Sequence, residues 1–200
     1  MNRSVGIYFF ALVLLLVSSC SNTPEEVKTD GSTDQSTNPI QDKTNEFNFQ
    51  FNQLLAALRS KDKAEISKFV STEYGLLIIR SSGALPSILI AKNNEAEFNS
   101  SLEQLFSSVP DSVTLKNESL PKVDCGLPSF YSKSGFFVRD TNLLSTSDIW
   151  KFGGLNEEDQ AFVEKAVLDV ERTVMLIPGF TFHFTHVQDR WYLTLVDLRK

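Results

Sequence analysis

The stretch FTFHFTHVQDRWYLTLVDL, residues 180–198, decides the fold class. Phe180, Phe182 and Phe184 alternate with polar residues, and successive side chains of a strand point to opposite sides of a sheet. A short polar segment then leads into a second apolar run, Trp191–Leu198. The pattern predicts a β-hairpin that carries the phenylalanines on one face.

Upstream of this hairpin, the spacing of apolar residues is helical. Asn45 can cap a helix, and Asp62 with Glu65 resembles a capping box at the start of a short second helix. Further helices are predicted from Asn94 and from Asn156. The apolar positions of the first helix follow the i, i+4, i+7, i+8, i+11 pattern and are Phe47, Phe51, Leu54, Leu55 and Leu58.

Strands account for most of the remaining apolar runs. They are predicted at Leu76–Arg80, Val113–Lys116, Gly135–Arg139 and Arg172–Ile177, while Leu85–Ala91 fits either element and Pro121–Ser134 is a loop. With helices early and antiparallel strands late, we expect an α+β domain. Its N-terminal helices pack on one face of a curved antiparallel sheet, which ends in the C-terminal hairpin.

The opening helix pair, residues 47–75, together with the closing hairpin resembles small secreted bacterial lipoproteins with an NTF2-like or cystatin-like domain. For enzymes, the NTF2-like resemblance implies an Asp/His pair inside a cone, where apolar walls raise the pKa of the acid.

The first residues have the pattern of an export signal. Arg3 precedes an uncharged run, Val5–Val17, which is shorter than the roughly 20 apolar residues of a spanning helix. The segment Leu16-Val17-Ser18-Ser19-Cys20 resembles the lipobox of bacterial lipoproteins. The resemblance implies cleavage before Cys20 and attachment of lipid to it, so that Cys20 holds the chain on the membrane of the cell envelope.

Two further features concern the location of the chain. Ser21 stands where the enterobacterial inner-membrane retention signal has Asp, which favours the outer membrane over the inner one. The polar stretch 21–45 cannot bury enough apolar surface to order itself. We therefore predict a signal peptide at 1–19, a lipid-anchored tether at 20–45 and one α+β domain at 46–200.

The composition disfavours nucleic acid as a partner, and the sequence lacks the motifs of the commonest enzyme classes. The net charge is −6 and there is no basic stripe, which disfavours nucleic-acid binding. Phosphate-binding loops and the common hydrolase and zinc motifs are absent from the sequence. We expect no cofactor.

The candidates for chemistry are few. His183 and His186 stand three apart on a predicted strand and point to opposite faces, so we expect no metal site. His183 points away from the phenylalanines and neighbours Asp197 on the adjacent strand, and this pair is the acid–base candidate, with Asp140 as a third group. Asp124 next to Cys125 disfavours a reactive thiolate, so Cys125 is interpreted as a small half-buried residue.

Phe182, Phe184 and Trp191 are the candidates to line an apolar pocket, although an aromatic stripe at this spacing is more often core. Three hypotheses for function follow. We favour a non-enzymatic module that binds a partner protein or a small apolar ligand, because no catalytic constellation is visible. The alternatives are an NTF2-like lyase, isomerase or hydrolase that uses the Asp/His pair, and a purely structural envelope component.

The lipid attachment is directly testable. Because the lipid is attached through the thiol of Cys20, Cys20→Ala should abolish incorporation of labelled palmitate and leave the precursor uncleaved by the lipoprotein signal peptidase. The measurement is labelling and gel mobility of the chain in its host. Normal maturation of Cys20→Ala would contradict the prediction.

Overall fold

The described part of this computed structural model comprises residues 39–91, 105, 109–110, 113–127 and 130–199. Its helices are α1 (Pro39–Ser60), α2 (Lys63–Ser67), α3 (Ile149–Phe152) and α4 (Glu157–Leu168). Its strands are β1 (Leu76–Ser82), β2 (Leu85–Ala91), β3 (Leu115–Lys116), β4 (Gly135–Arg139), β5 (Arg172–Ile177), β6 (Thr181–Val187) and β7 (Arg190–Asp197).

The seven strands form one open sheet in the order β2-β1-β7-β6-β5-β4-β3. Neighbours are antiparallel except for the pairs β1–β7 and β3–β4, which are parallel. The α+β class is confirmed, but the sheet is mixed where we expected an antiparallel one. The reason is that side-chain alternation is the same in both kinds of pairing, so the pattern of a strand carries no information on its direction.

The predicted C-terminal hairpin is confirmed as β6 and β7. Val187 pairs with Arg190 across a two-residue turn. Gln188 and Asp189 both have positive φ, 48° and 58°, as the tight hairpin turns that match strand twist require. A bulge after His183 shifts the register along the hairpin.

One face of the sheet carries the aromatic core, covered by α1 and α2 as predicted for the N-terminal helices. Phe51 lies at its centre, with ring centroids 6.2, 6.0 and 5.9 Å from those of Phe136, Phe182 and Phe184. The edge-to-face geometry of these pairs adds to the burial of apolar area. The phenylalanines of this face therefore pack ring against ring.

The opposite face is also apolar and is covered by α3 and α4. Val163 and Val167 of α4 pack against a patch that includes Leu195 of β7. Asn156 caps α4 as predicted, since its Oδ1 accepts a hydrogen bond from the backbone N–H of Asp159 at 2.9 Å. A sheet that is apolar on both sides needs cover on both, so the late helix lies across the sheet from α1.

Helix α1 begins at Pro39, six residues before Asn45, which was predicted as the cap. Proline suits the first position of a helix because its fixed φ is helical and its missing N–H is not needed there. Lys43 forms an ion pair with Glu171 at 2.8 Å. The start of the helix was missed because its first residues are polar and show no apolar period.

Several predicted features lie outside the described residues. They are the signal peptide, Cys20, residues 21–38 of the tether and most of the helix from Asn94, of which Leu105 is helical and buried. Among the described helices, none combines the length and the apolar character that crossing a bilayer requires.

The aromatic core predicts a large and local stability effect. Phe51→Ala should lower the free energy of unfolding by about 3–5 kcal/mol, because it removes a ring that is 1% exposed and leaves a cavity among other rings. Phe49→Ala is the matched control on the same helix. Since Phe49 is 65% exposed, its loss should cost no more than about 0.5 kcal/mol in the same urea titration. Equal effects of the two variants would contradict this placement of α1.

Candidate functional site

The two members of the proposed acid–base pair lie on neighbouring strands and on the same face of the sheet. His183 pairs with Leu195, and Thr181 pairs with Asp197, so His183 and Asp197 are diagonal neighbours. Both face away from the phenylalanine side, as the alternation predicts. The sequence thus located the pair correctly with respect to the sheet.

The surroundings of His183 do not resemble those of a catalytic base. The residue is 1% exposed, and its Nδ1 lies 3.2 Å from Oγ1 of Thr173. That hydroxyl donates its only proton to the carbonyl of Thr141 at 2.7 Å, so Nδ1 of the histidine must be the donor. Burial lowers the pKa of His183 to about 4, an effect that Asp197 partly offsets and Arg199 reinforces.

Asp197 is held by a different residue. Its carboxylate is bound by the guanidinium of Arg199, whose Nε donates to Oδ1 at 2.9 Å and whose Nη2 donates to Oδ2 at 2.6 Å. Substrate must come within hydrogen-bond reach of a general base, and a histidine buried to this degree offers no such approach. His183 is thus buried and bonded to Thr173, whereas Asp197 forms a partly exposed ion pair with Arg199.

The aromatic residues proposed to line an apolar pocket are buried in the core. Phe182, Phe184 and Trp191 are 0%, 3% and 2% exposed. Phe47 closes over them from α1, with ring centroids 5.1 Å from Phe184 and 5.2 Å from Trp191. These three side chains line neither of the two cavities described below.

A buried arginine beside this core was not anticipated. Arg172 at the start of β5 is 4% exposed, and its guanidinium lies 4.5 Å from the ring centroid of Phe47 and 4.4 Å from that of Trp191. Its Nε donates to Oδ1 of Asp140. Its Nη1 is buried and has no hydrogen-bond partner among the described residues.

A small cavity of about 60 Å³ adjoins this arginine. It lies between the first turns of α1 and the β3–β4–β5 edge of the sheet. Its lining residues are Thr44, Asn48, Leu115, Asn117, Val138, Arg139, Asp140 and Arg172. Asp140, the third acid–base candidate, is therefore paired with Arg172 at the rim of this cavity.

One signal in the sequence could have identified Arg172. It alternates with Val174 and Leu176, which places it on the apolar face of a strand. A charged residue at the end of a strand is usually solvated, and for that reason the position was overlooked. Its burial depends on Phe47, which lies 125 positions earlier, and no local pattern shows that contact.

The second cavity is a shallow groove of about 540 Å³ beside α1, α2 and the hairpin turn. Its lining residues are Gln53, Ala56, Ala57, Ser60, Glu65, Lys68, Phe69 and Arg190. The charges are mixed, and Arg190 donates to the backbone carbonyl of Lys68 at 2.9 Å. We assign no chemistry to this groove.

The loop between β3 and β4 presents apolar side chains to solvent. Val123, Leu127 and Phe130 are 65%, 37% and 59% exposed. Cys125 on the same loop is a free, exposed thiol, so the interpretation as a half-buried residue was wrong. Cys125 lies in a turn in which the N–H of Gly126 donates to Oδ1 of Asp124, and the residues on either side of it are also exposed.

An exposed ionic network joins α4 to the entry of β1. Lys165 donates to Glu73, to the hydroxyl of Tyr74 and to Asp169, at 2.9, 2.8 and 3.1 Å. The hydroxyl of Tyr74 donates to Asp169 at 2.6 Å. Burial and the bond to Asp169 raise the pKa of Tyr74, so the phenol stays protonated and in place. We interpret this network as structural.

His186, near the hairpin turn, is half-buried and packs against Trp191 at a centroid distance of 4.8 Å. Within the described residues, no cluster of three or more His, Cys, Asp or Glu side chains could hold a metal ion.

The chain was compared with protein-family models, with curated proteins and with solved structures, and none of the three comparisons gives a match. The NTF2-like resemblance is therefore not confirmed. The functional assignment must come from the residues themselves.

The buried histidine predicts a pH dependence of stability. Its pKa is about 4 in the folded chain and about 6.5 in the unfolded one, so the unfolded state binds more protons between these values. Stability should therefore fall as the pH falls from about 6.5 to 4, by about 3 kcal/mol through this group. His183→Asn, which keeps a donor for Thr173, should remove most of that loss in urea titrations.

The matched control is Thr181→Ala, which lies on the same strand and face but does not titrate. It should keep the pH dependence of the unchanged chain. If His183→Asn loses stability on acidification as steeply as the unchanged chain, the histidine is not buried in its neutral form.

Proposed function

We propose that the chain is a lipid-anchored protein of the cell envelope, in the outer membrane, whose domain is a non-enzymatic module that binds a partner protein. The lipobox-like segment at Cys20 supports the anchor, and the domain supplies the binding surface. The observation that carries the binding role is an exposed apolar segment between β3 and β4, called the apolar loop, which comprises residues 121–127 and 130–134.

The exposed part of the apolar loop has a defined backbone. The N–H of Asp124 donates to the carbonyl of Phe130 at 2.8 Å, and Leu127 and Phe130 each bond back to the residue three positions earlier. The N–H of Gly126 donates to Oδ1 of Asp124 at 2.9 Å. These bonds fix the loop so that its apolar side chains are presented without the ordering cost that a disordered segment pays on binding.

The conformation of Phe130 also indicates a role beyond packing. Its φ is 57°, in the left-handed region that costs a bulky residue energy and that glycine would occupy freely. The ring is 59% exposed, so the core does not repay that cost. An exposed aromatic side chain in a fixed turn is the kind of anchor that protein interfaces bury.

A protein fits this surface better than the other candidate partners. The aromatic side chains proposed to line a pocket for a small apolar ligand are buried against α1, and the histidine of the acid–base pair is inaccessible. An anionic bilayer would favour clustered cations, whereas Lys122 and Asp124 lie on either side of Val123 and the other cation of the loop, Lys133, is paired with Glu118. Apolar side chains with balanced charge suit a protein groove with a polar rim.

The apolar loop provides its own probe in Cys125. A photo-crosslinker attached to this thiol in intact envelopes should yield a discrete protein adduct of the full chain. Phe130→Ser should reduce the adduct at least fivefold, because it removes the proposed anchor from the loop. The measurement is immunoblotting with mass spectrometry of the adduct.

Phe152→Ser is the matched control, because Phe152 is also exposed, at 55%, but belongs to α3 on another part of the surface. It should leave the adduct unchanged, and thermal unfolding should show that both variants remain folded. A yield unaffected by Phe130→Ser, or adducts with phospholipid alone, would overturn the proposed function.

A further inference from the structure

We propose that the cavity beside Arg172 binds a carboxylate group. The inference is independent of the apolar loop and of any partner that binds there. Its basis is a buried guanidinium whose hydrogen-bonding capacity is only partly used and which lines a cavity with other polar residues.

The faces of the guanidinium are not available for hydrogen bonding. Phe47 and Trp191 lie 4.5 and 4.4 Å from its central carbon, so both rings are within cation–π distance. Hydrogen bonds can form only at the planar edge, where Nε is already bound to Asp140. Nη1 lies on the side of the guanidinium away from the Nε–H, and it is buried without an acceptor in the described part of the chain. A buried charged group whose donors are only partly bonded costs free energy, and a ligand oxygen that reached the guanidinium from the cavity would lower that cost.

The charge of the lining favours an anion. Arg139 and Arg172 contribute two positive charges and Asp140 one negative charge, so a single monoanion balances the cavity. Asn48 and Asn117 add two side-chain amides for which no hydrogen bond to a described residue is seen. Amide N–H groups and a guanidinium edge are donors that a carboxylate accepts well.

The volume of the cavity suits a small chemical group. One water molecule needs roughly 10–15 Å³ of cavity volume, and this cavity offers about 60 Å³. The planar edge of an arginine matches the two oxygens of a carboxylate. Such a group can belong to a free organic acid or to the terminus or an acidic side chain of a protein, and the experiment separates these sources.

Trp191 provides the readout because its ring stacks on the guanidinium. The full chain, purified in non-ionic detergent with Trp150→Phe to leave one tryptophan, is titrated with sodium acetate at constant ionic strength against sodium chloride. We expect a saturable change in Trp191 emission. Asn48→Asp, which adds a carboxylate to the cavity lining, should weaken acetate binding at least tenfold.

Asn52→Asp is the matched control, because it makes the same substitution one turn further along α1 at an exposed position outside the cavity. It should bind acetate as the Trp150→Phe chain does. A second arm titrates a short peptide with a free C-terminal carboxylate and the same peptide amidated. Saturation by the free form alone, sensitive to Asn48→Asp, identifies a protein-borne carboxylate.

Three results would overturn the site. The first is no saturable response to acetate or to either peptide, which means that the cavity holds water only. The second is a response that chloride reproduces. The third is a response that Asn48→Asp and Asn52→Asp change equally, which places binding outside the cavity.

Discussion

The fold depends on the docking of two phenylalanines of α1 onto the C-terminal hairpin. Phe47 contacts Phe184 and Trp191, and Phe51 contacts Phe182, across more than 130 positions of sequence. The hairpin strands lie in the middle of the sheet, so the strands on either side depend on the last residues of the chain. Contacts between residues this far apart in sequence close long stretches of chain. Burial of the aromatic face must offset the conformational entropy that is lost on closure.

Elements that the sequence predicts well are those specified by neighbouring residues. The hairpin follows from strict alternation, and the caps Asp62 and Asn156 from residues within one helical turn. The parallel pairing of β1 with β7 and the position of α4 across the sheet depend on residues far apart in the chain. Pro39 begins α1 where the apolar period is absent, so the start of the helix was also missed.

The candidate sites show the same difference between features set by neighbouring residues and features set by residues far apart in the chain. Alternation along β6 places His183 on the face opposite the phenylalanines, but its burial and its bond to Thr173 come from other strands. The environment of Arg172 is assembled from α1, β4 and β7, and the sequence around it shows only a charged residue at the start of a strand. Exposure of Cys125 follows from the shape of a loop, which composition does not reveal.

His183 and Arg172 are both buried, but they differ in how their polar atoms are satisfied. His183 is neutral at pH 7 and shares a hydrogen bond with Thr173, so its contribution to the sheet explains its presence. Arg172 is charged, and one of its nitrogens has no acceptor among the described residues. Apolar residues of similar volume often replace buried ion pairs without loss of stability. Packing and the bond to Thr173 therefore account for the histidine, whereas the described part of the protein leaves one nitrogen of the arginine without an acceptor.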